Sequence, residues 1–296
     1  MSRIFLALAA WAALWASVAG AKPAPPAPPT PPPPGAPAEA DWRTPDPQDI
    51  LVLETTKGRV IIEMNPRAAP NHVARIRELA RSGAYDGRAF FRVIADFMDQ
   101  TGDPLDSGMG TSSLPSLKAE FTFRRGADTP FVPVSRSNGT EGGIVGSLPV
   151  ISQTMDLGML TVDHRVEAWG AYCAGVAGMA RGDDPDSANS QYFLVRTNTA
   201  AADHASHGLD RRYTAWGRTL VGQEVIDQIK AGEPPPPPAD RVQSAKILAD
   251  LPAQGRPMVR VVDPASAWFK AEIAYEKAAQ GADFSVCSVK LPAEVK

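Results

Sequence analysis

Two cysteines and four histidines among 296 residues are too few for a dense disulfide scaffold and leave little room for a structural metal site. No Walker-type phosphate loop and no G-x-S-x-G elbow is present. P-loop enzymes, metal proteases and iron–sulfur proteins are therefore poor matches. Excess positive charge is missing as well. Thirty Lys and Arg against 33 Asp and Glu give a formal charge of -3, where a nucleic-acid surface would be basic. The chain has no fixed-period repeat. Its one long apolar run, Ile4–Val18, falls short of the roughly 20 residues that a spanning helix needs.

What is plentiful is proline, at 29 residues. Apolar residues make up 44% and charged residues 21%, as in soluble globular chains. Arg3, the apolar run and Ala19-Gly20-Ala21 have the layout of a secretory signal peptide over residues 1–21, the alternative being an uncleaved anchor. Either way the rest of the chain is expected to leave the cytoplasm, with the periplasm as its address and no stable membrane insertion after cleavage. Residues 22–48, rich in Pro and Ala, read as a polyproline II spacer, or else as a ligand for a proline-binding module. Pro234–Pro238 reads as a second, shorter rigid segment.

About 250 residues remain for folded structure, enough for one large domain or one ordinary domain with additions. Asp49–Thr55 and Val60–Met64 predict a β-hairpin around Thr56-Lys57-Gly58-Arg59. A helix should follow, opened by Pro70 and ended by Gly83, with Val73, Ile76, Leu79 and Ala80 on one face and arginines on the other. Strands are expected near Ala89–Ile94, Ala174–Met179, Gln191–Arg196, Tyr213–Arg218 and Gln243–Leu248, with a second helix at Gln223–Lys230. This pattern predicts a mainly β barrel or sandwich over residues 49–250. Two portions break the rhythm: an insertion at about 123–170, and a C-terminal extension over 251–296. The extension should carry one helix, with Asp263 as cap and Pro264 at its first position, and then a strand-like Phe284–Leu291.

Three blocks hold the chemistry. They are Phe90-Phe91-Arg92-Val93-Ile94-Ala95-Asp96-Phe97-Met98-Asp99-Gln100-Thr101-Gly102-Asp103, then Gly178-Met179-Ala180-Arg181 with Ser190-Gln191-Tyr192-Phe193-Leu194, then Leu209-Asp210-Arg211-Arg212-Tyr213-Thr214-Ala215-Trp216-Gly217. Strand alternation puts Phe90, Arg92 and Ile94 on one face and Phe91 and Val93 on the other, and parity alone does not say which face is inside. An arginine in so apolar a run must reach an edge, a partner or a ligand, because its charge is costly to bury unpaired. Gln191 and Phe193 share a face. The bland alternative is a snorkelling surface arginine and two ordinary core strands.

Taken together and in order, the blocks resemble the cyclophilin family of peptidyl-prolyl cis–trans isomerases, with its F-x-R-x-I-x-x-F-M-x-Q-x-G-D signature. The resemblance spans about residues 49–250 outside the insertion. It implies a closed eight-stranded antiparallel β-barrel capped by two α-helices, with a peptide groove outside the barrel and no cofactor or metal. Carried over by position, Arg92 would be catalytic. Phe97, Met98, Phe193 and Leu209 would line a proline pocket, closed by Tyr213. Gln100, Gln191, Ala180 and Arg181 would hold the substrate backbone. The implied partners are proline-containing polypeptides, unfolded or in loops. Some positions depart from the family pattern. Phe91 stands where many relatives have histidine, and Gly108 and Gly110 match the glycine-rich loop only loosely. Gly208 falls where eukaryotic members carry a tryptophan associated with cyclosporin, so weak cyclosporin binding is expected.

Such residues suit the reaction. Rotating a peptide bond crosses about 18–20 kcal/mol because planarity preserves resonance, while X–Pro isomers differ by only about 0.5–1 kcal/mol. Catalysis needs the twisted amide favoured, with no nucleophile and no redox centre. Two competing classes are a non-catalytic proline-peptide scaffold and a holdase chaperone working through the insertion and the Trp268–Ile273 helix. Three weaker signals are also present. Cys173 and Cys287 can pair in an oxidising compartment, though sequence does not place them together. His204 and His207 read as an exposed loop rather than a metal site, and Asn138-Gly139-Thr140 as a bare turn rather than a glycosylation acceptor.

Overall fold

The computed structural model describes residues 30–137, 139–196 and 208–296. Residues 1–21, read from sequence as a signal peptide, together with Asn138, His204 and His207, lie outside the described residues. Among those described, the chain forms sixteen strands in three antiparallel sheets. In order they are β1 (Trp42–Arg43), β2 (Ile50–Thr55), β3 (Gly58–Met64), β4 (Arg92–Ile94), β5 (Met98–Thr101) and β6 (Phe123–Arg125). Next come β7 (Phe131–Ser137), β8 (Thr140–Val145), β9 (Leu148–Gln153), β10 (Val166–Gly170) and β11 (Val176–Met179). The remainder are β12 (Tyr192–Val195), β13 (Ala215–Val221), β14 (Val242–Ile247), β15 (Val259–Val262) and β16 (Ala293–Val295). The α-helices are α1 (Pro70–Arg81), α2 (Gln223–Ile226) and α3 (Ala267–Gln280).

The principal sheet has eight strands in the order β14-β2-β3-β13-β11-β12-β5-β4. It is a curled half-barrel rather than the closed ladder expected. Its two edge strands are not strand-paired. They are linked through the Ala89–Arg241 bridge and the bonds from Gly87 N to Val242 O (2.8 Å) and from Phe90 N to Asp240 O (2.9 Å). Alternate side chains turn inward: Leu51 and Leu53, Val60 and Ile62, Tyr192 and Leu194, with Trp216. Val73, Ile76, Leu79 and Ala80 of α1 and Val225 and Ile226 of α2 complete this first core. The intervening residues are buried too, which explains the unbroken apolar runs of β2 and β3.

Additions cover that outer face. Residues 123–170 form the five-stranded sheet β6-β10-β9-β8-β7. Its Ile144, Val145, Leu148, Val150 and Ala168 join Phe269, Val286 and Val289 of the C-terminal extension in a second core against the half-barrel. A disulfide between Cys173 and Cys287 closes 114 residues and pins the extension there. The third sheet, β1-β15-β16, absorbs Trp42 and Arg43, so the stretch read as a spacer is anchored at its end. Arg43 also makes two 2.8 Å bonds to the Glu63 carboxylate.

Four local expectations are corrected. Arg75 lies buried rather than on an exposed face, donating to Asn189 O (3.2 Å) and Pro115 O (2.8 Å). α2 ends at Ile226. α3 starts three residues later than Pro264, because Ser266 caps it by accepting from Phe269 N (3.1 Å) while Asp263 is engaged in the preceding turn. Phe284–Leu291 forms a short 3-10 turn rather than a strand, and pairing begins only at Ala293.

Candidate active site

The alternation expected along Ala89–Ile94 fails at one point, and the failure shapes the site. Phe90 and Val93 both sit in the first core. Between Phe90 and Phe91 the backbone changes partner, Phe90 N bonding Asp240 O (2.9 Å) and Phe91 N bonding Gln100 O (3.1 Å). Arg92 is thereby sent outward, its side chain 40% exposed. Register then lines up a row across four strands: Arg92 opposite Gln100, Gln100 opposite Phe193, Phe193 opposite Gly178.

The glycine in that row is a spatial necessity. A Cβ at Gly178 would stand 2.3 Å from Phe193 Cζ and 2.8 Å from Tyr172 Cε1. Phe193 therefore lies over bare backbone, stacked on Tyr172 (5.8 Å between centroids) and edge-on to Tyr213 (6.1 Å). Met98, Phe193 and Leu209 are buried as the floor of an open hollow of about 370 Å³. Phe97, Tyr213, Arg92, Gln100, Ala180 and Arg181 complete its lining, with Gly208 and Arg212. Nine of the ten site residues expected from sequence thus meet in one cavity. The tenth, Gln191, lines the adjoining hollow with Gln100, Ala180 and Arg181.

A polar relay runs along the rim. Arg92 Nη1 donates to Gln100 Oε1 (3.4 Å), Gln100 Nε2 to Gln191 Oε1 (3.0 Å), and Gln191 Nε2 to the carbonyls of Gly108 (3.1 Å) and Gly110 (2.8 Å). The Gly108–Gly110 loop is held in turn by Asp103, which accepts from Leu105 N (2.9 Å), Ser107 N (2.8 Å) and Gly108 N. Burial pushes this carboxyl up, but its backbone donors outweigh burial and leave it below the usual range. Loose motif matching left Gly108 and Gly110 out; their carbonyls belong to the relay.

Arg181, expected to hold substrate backbone, is itself held within the site. Its Nε donates to Arg212 O (2.9 Å) and its Nη1 to Gly182 O (2.7 Å), while the guanidinium stacks 4.5 Å over Tyr213. It braces the ring that walls the pocket. Sequence reading also missed Glu233, whose Oε2 accepts from Arg92 Nε at 2.6 Å. A partner 141 residues away leaves no local signal. Behind the floor, burial lifts Asp99 to about 7 despite its 2.7 Å bond from Arg196. Burial likewise lifts Asp210, beside Leu209, to about 6. Among the described residues no cluster of three or more His, Cys, Asp or Glu is arranged to hold a metal.

The family model described as cyclophilin type peptidyl-prolyl cis-trans isomerase/CLD matches residues 50–247. A probable peptidyl-prolyl cis-trans isomerase of Brucella suis is 31% identical over 220 residues, covering 69% of this chain and 85% of the relative. An isomerase of Streptomyces antibioticus is 30% identical over 179 residues, covering 60% and 81%. Among solved structures, a cyclophilin from Hirschia baltica superposes with a TM-score of 0.77 at 36% identity, covering 86% of this chain and 93% of that one. The open apolar hollow, the outward arginine and the glutamine relay therefore sit in a chain that belongs to the cyclophilin-type peptidyl-prolyl cis–trans isomerase family.

Proposed function

We propose that the protein is exported to the periplasm and there isomerises X–Pro bonds in unfolded or loop segments, with Arg92 as the catalytic residue. One observation carries this reading: a half-exposed guanidinium at the mouth of an apolar hollow, with donors to spare. Of its five N–H groups one goes to Glu233 and one to Gln100. Three remain for a ligand, all on the terminal nitrogens.

The proline ring fills the hollow over Met98, Phe193 and Leu209, excluding water. As the amide twists, resonance is lost and the imide nitrogen becomes a better acceptor. The planar fork donates to it while gripping a neighbouring carbonyl, an interaction stronger at the twist than in either planar isomer. Displacing water from the apolar floor strengthens that donation. Gln100, Gln191 and the backbone at Ala180 hold the flanking peptide, and Arg181 acts through Tyr213. Nothing in the step calls for a cofactor or metal. Arg92→Lys keeps the charge and loses the fork. It is expected to lower kcat/KM on a proline tetrapeptide by about a hundredfold or more, and near-native activity in the folded variant overturns the mechanism.

A second reading, holding of unfolded clients, is favoured by the exposed Met159, Leu160 and Val162 of the β9–β10 connection. It expects aggregation suppression that survives Arg92→Lys. Cyclosporin should bind weakly, because Gly208 offers no side chain at the pocket rim; nanomolar affinity by calorimetry would refute this.

A further inference from the structure

A long arginine side chain loses considerable rotamer freedom whenever it is aimed, and an aimed fork must be held by its surroundings. Gln100 holds Arg92 at 3.4 Å, the long end of hydrogen bonding. Glu233 holds it at 2.6 Å, a charge-assisted bond. The loop carrying Glu233 is itself fixed next to β4. Val93 N donates to Gly232 O (2.9 Å) and Gly232 N to Val93 O (2.8 Å), so Arg92 and Glu233 extend from neighbours of one backbone bridge. Beyond Glu233 come five consecutive prolines, which lack N–H groups and have restricted φ. The far end is tied by Lys230 Nζ to Pro238 O (2.8 Å) and Lys230 N to Asp240 Oδ2 (2.9 Å).

We infer that Glu233 is a positioning residue for Arg92, locking Nε on the outer side so that the terminal nitrogens face the proline hollow. The inference rests on the reading of Arg92 given above and adds to it the group that aims the fork. Glu233 does not touch the reacting bond; it acts by sparing the entropy of ordering Arg92 at each turnover. It also gives the Pro234–Pro238 run a purpose, as a stiff support for one carboxylate. Glu233 is itself 51% exposed, so its removal should leave the fold intact.

The test uses the full chain, ¹⁵N-labelled, as wild type, Glu233→Ala and Glu233→Gln. Two quantities are read: the NMR order parameter of the Arg92 Nε–H group, and kcat and KM separately on a proline tetrapeptide. In Glu233→Ala the order parameter should fall and kcat drop about tenfold with KM nearly unchanged, as for a misplaced reacting group. Glu233→Gln keeps an acceptor oxygen and should retain most of both. An unchanged order parameter in Glu233→Ala overturns the inference, and so does a rise in kcat, which would make the carboxylate a competitor for the fork. Arg92→Lys separates the two levels. If it is inactive while Glu233→Ala behaves as wild type, only the positioning role fails; if it is fully active, the reading beneath fails with it.

Discussion

The curled half-barrel and the five-stranded sheet laid over it are made of the same antiparallel strand, and their arginines lead opposite lives. In the added sheet each cation is matched to an acid. Glu141 accepts from Arg125 (2.8 Å) and Arg136 (2.6 Å), Arg124 pairs with Asp163 (2.6 Å), and Arg165 pairs with Asp128 (2.8 Å). On the half-barrel, Arg92 has an acid at one nitrogen only, gives one terminal N–H to Gln100 and keeps three at a hollow with an apolar floor. Pairing that uses up a charge stabilises a fold; pairing that leaves donors over permits chemistry. The two regions are nevertheless not independent. Met98, Phe193 and Leu209, the pocket floor, belong to the same apolar cluster as Ile144, Val150, Phe269 and Val286. The added layer is thus the back wall of the site.

Removing the disulfide tests that wall most severely. Cys173→Ser with Cys287→Ser should cost about 2–5 kcal/mol of stability in denaturant unfolding. Because Cys173 adjoins Tyr172, which stacks on Phe193, KM for a proline peptide should rise as well. If both quantities stay put, the two regions are merely juxtaposed. Next in size come two glycines that sharpen the contrast. A Cβ at Gly170 would stand 2.3 Å from Ala215 Cβ at the junction of the layers, and one at Gly178 would stand 2.3 Å from Phe193 Cζ in the pocket. Each alanine variant should lose about 1–3 kcal/mol. Gly178→Ala alone should weaken peptide binding specifically, and equal effects on KM would erase the distinction.

The smallest effect expected is a slope. Asp99 ionises near 3.8 when unexceptional and near 7 in the fold, where burial disfavours its charge. Between those values the folded chain keeps a proton that the unfolded chain has released. The stability from this group is therefore full at low pH and is lost as pH rises towards 7. Asp210, lifted to about 6 by burial, acts in the same sense. The melting temperature of Asp99→Asn should decline less than that of the wild type from pH 5 to 7.5 in calorimetry, and parallel profiles would contradict the assignment.

Much of the site could be read directly from sequence, because the ordered blocks fix residues that register later brings side by side. Gln191 and Phe193 both meet Gln100, one by a 3.0 Å hydrogen bond and the other by strand register, and Arg92 does lie opposite Gln100. What escaped depends on distant pairing. Strand parity misplaced Phe90 against Val93 because the chain exchanges Asp240 for Gln100 as its partner there, which no local periodicity announces. Arg75 followed the surface pattern of α1 yet is drawn inward by carbonyls of Pro115 and Asn189, and Glu233 reaches Arg92 from another loop altogether. Composition coloured the reading of residues 22–48, whose last residues, Trp42 and Arg43 among them, are recruited into a sheet by β15.

The shared floor has a thermodynamic corollary. A guest seated over Met98, Phe193 and Leu209 finishes the outer face of the second core from the open side, much as a keystone finishes an arch. Occupancy and global stability are then linked: at a hundred times its dissociation constant such a guest adds about 2.7 kcal/mol. Whatever loosens the tail from behind should, by the same reciprocity, make the guest easier to shed.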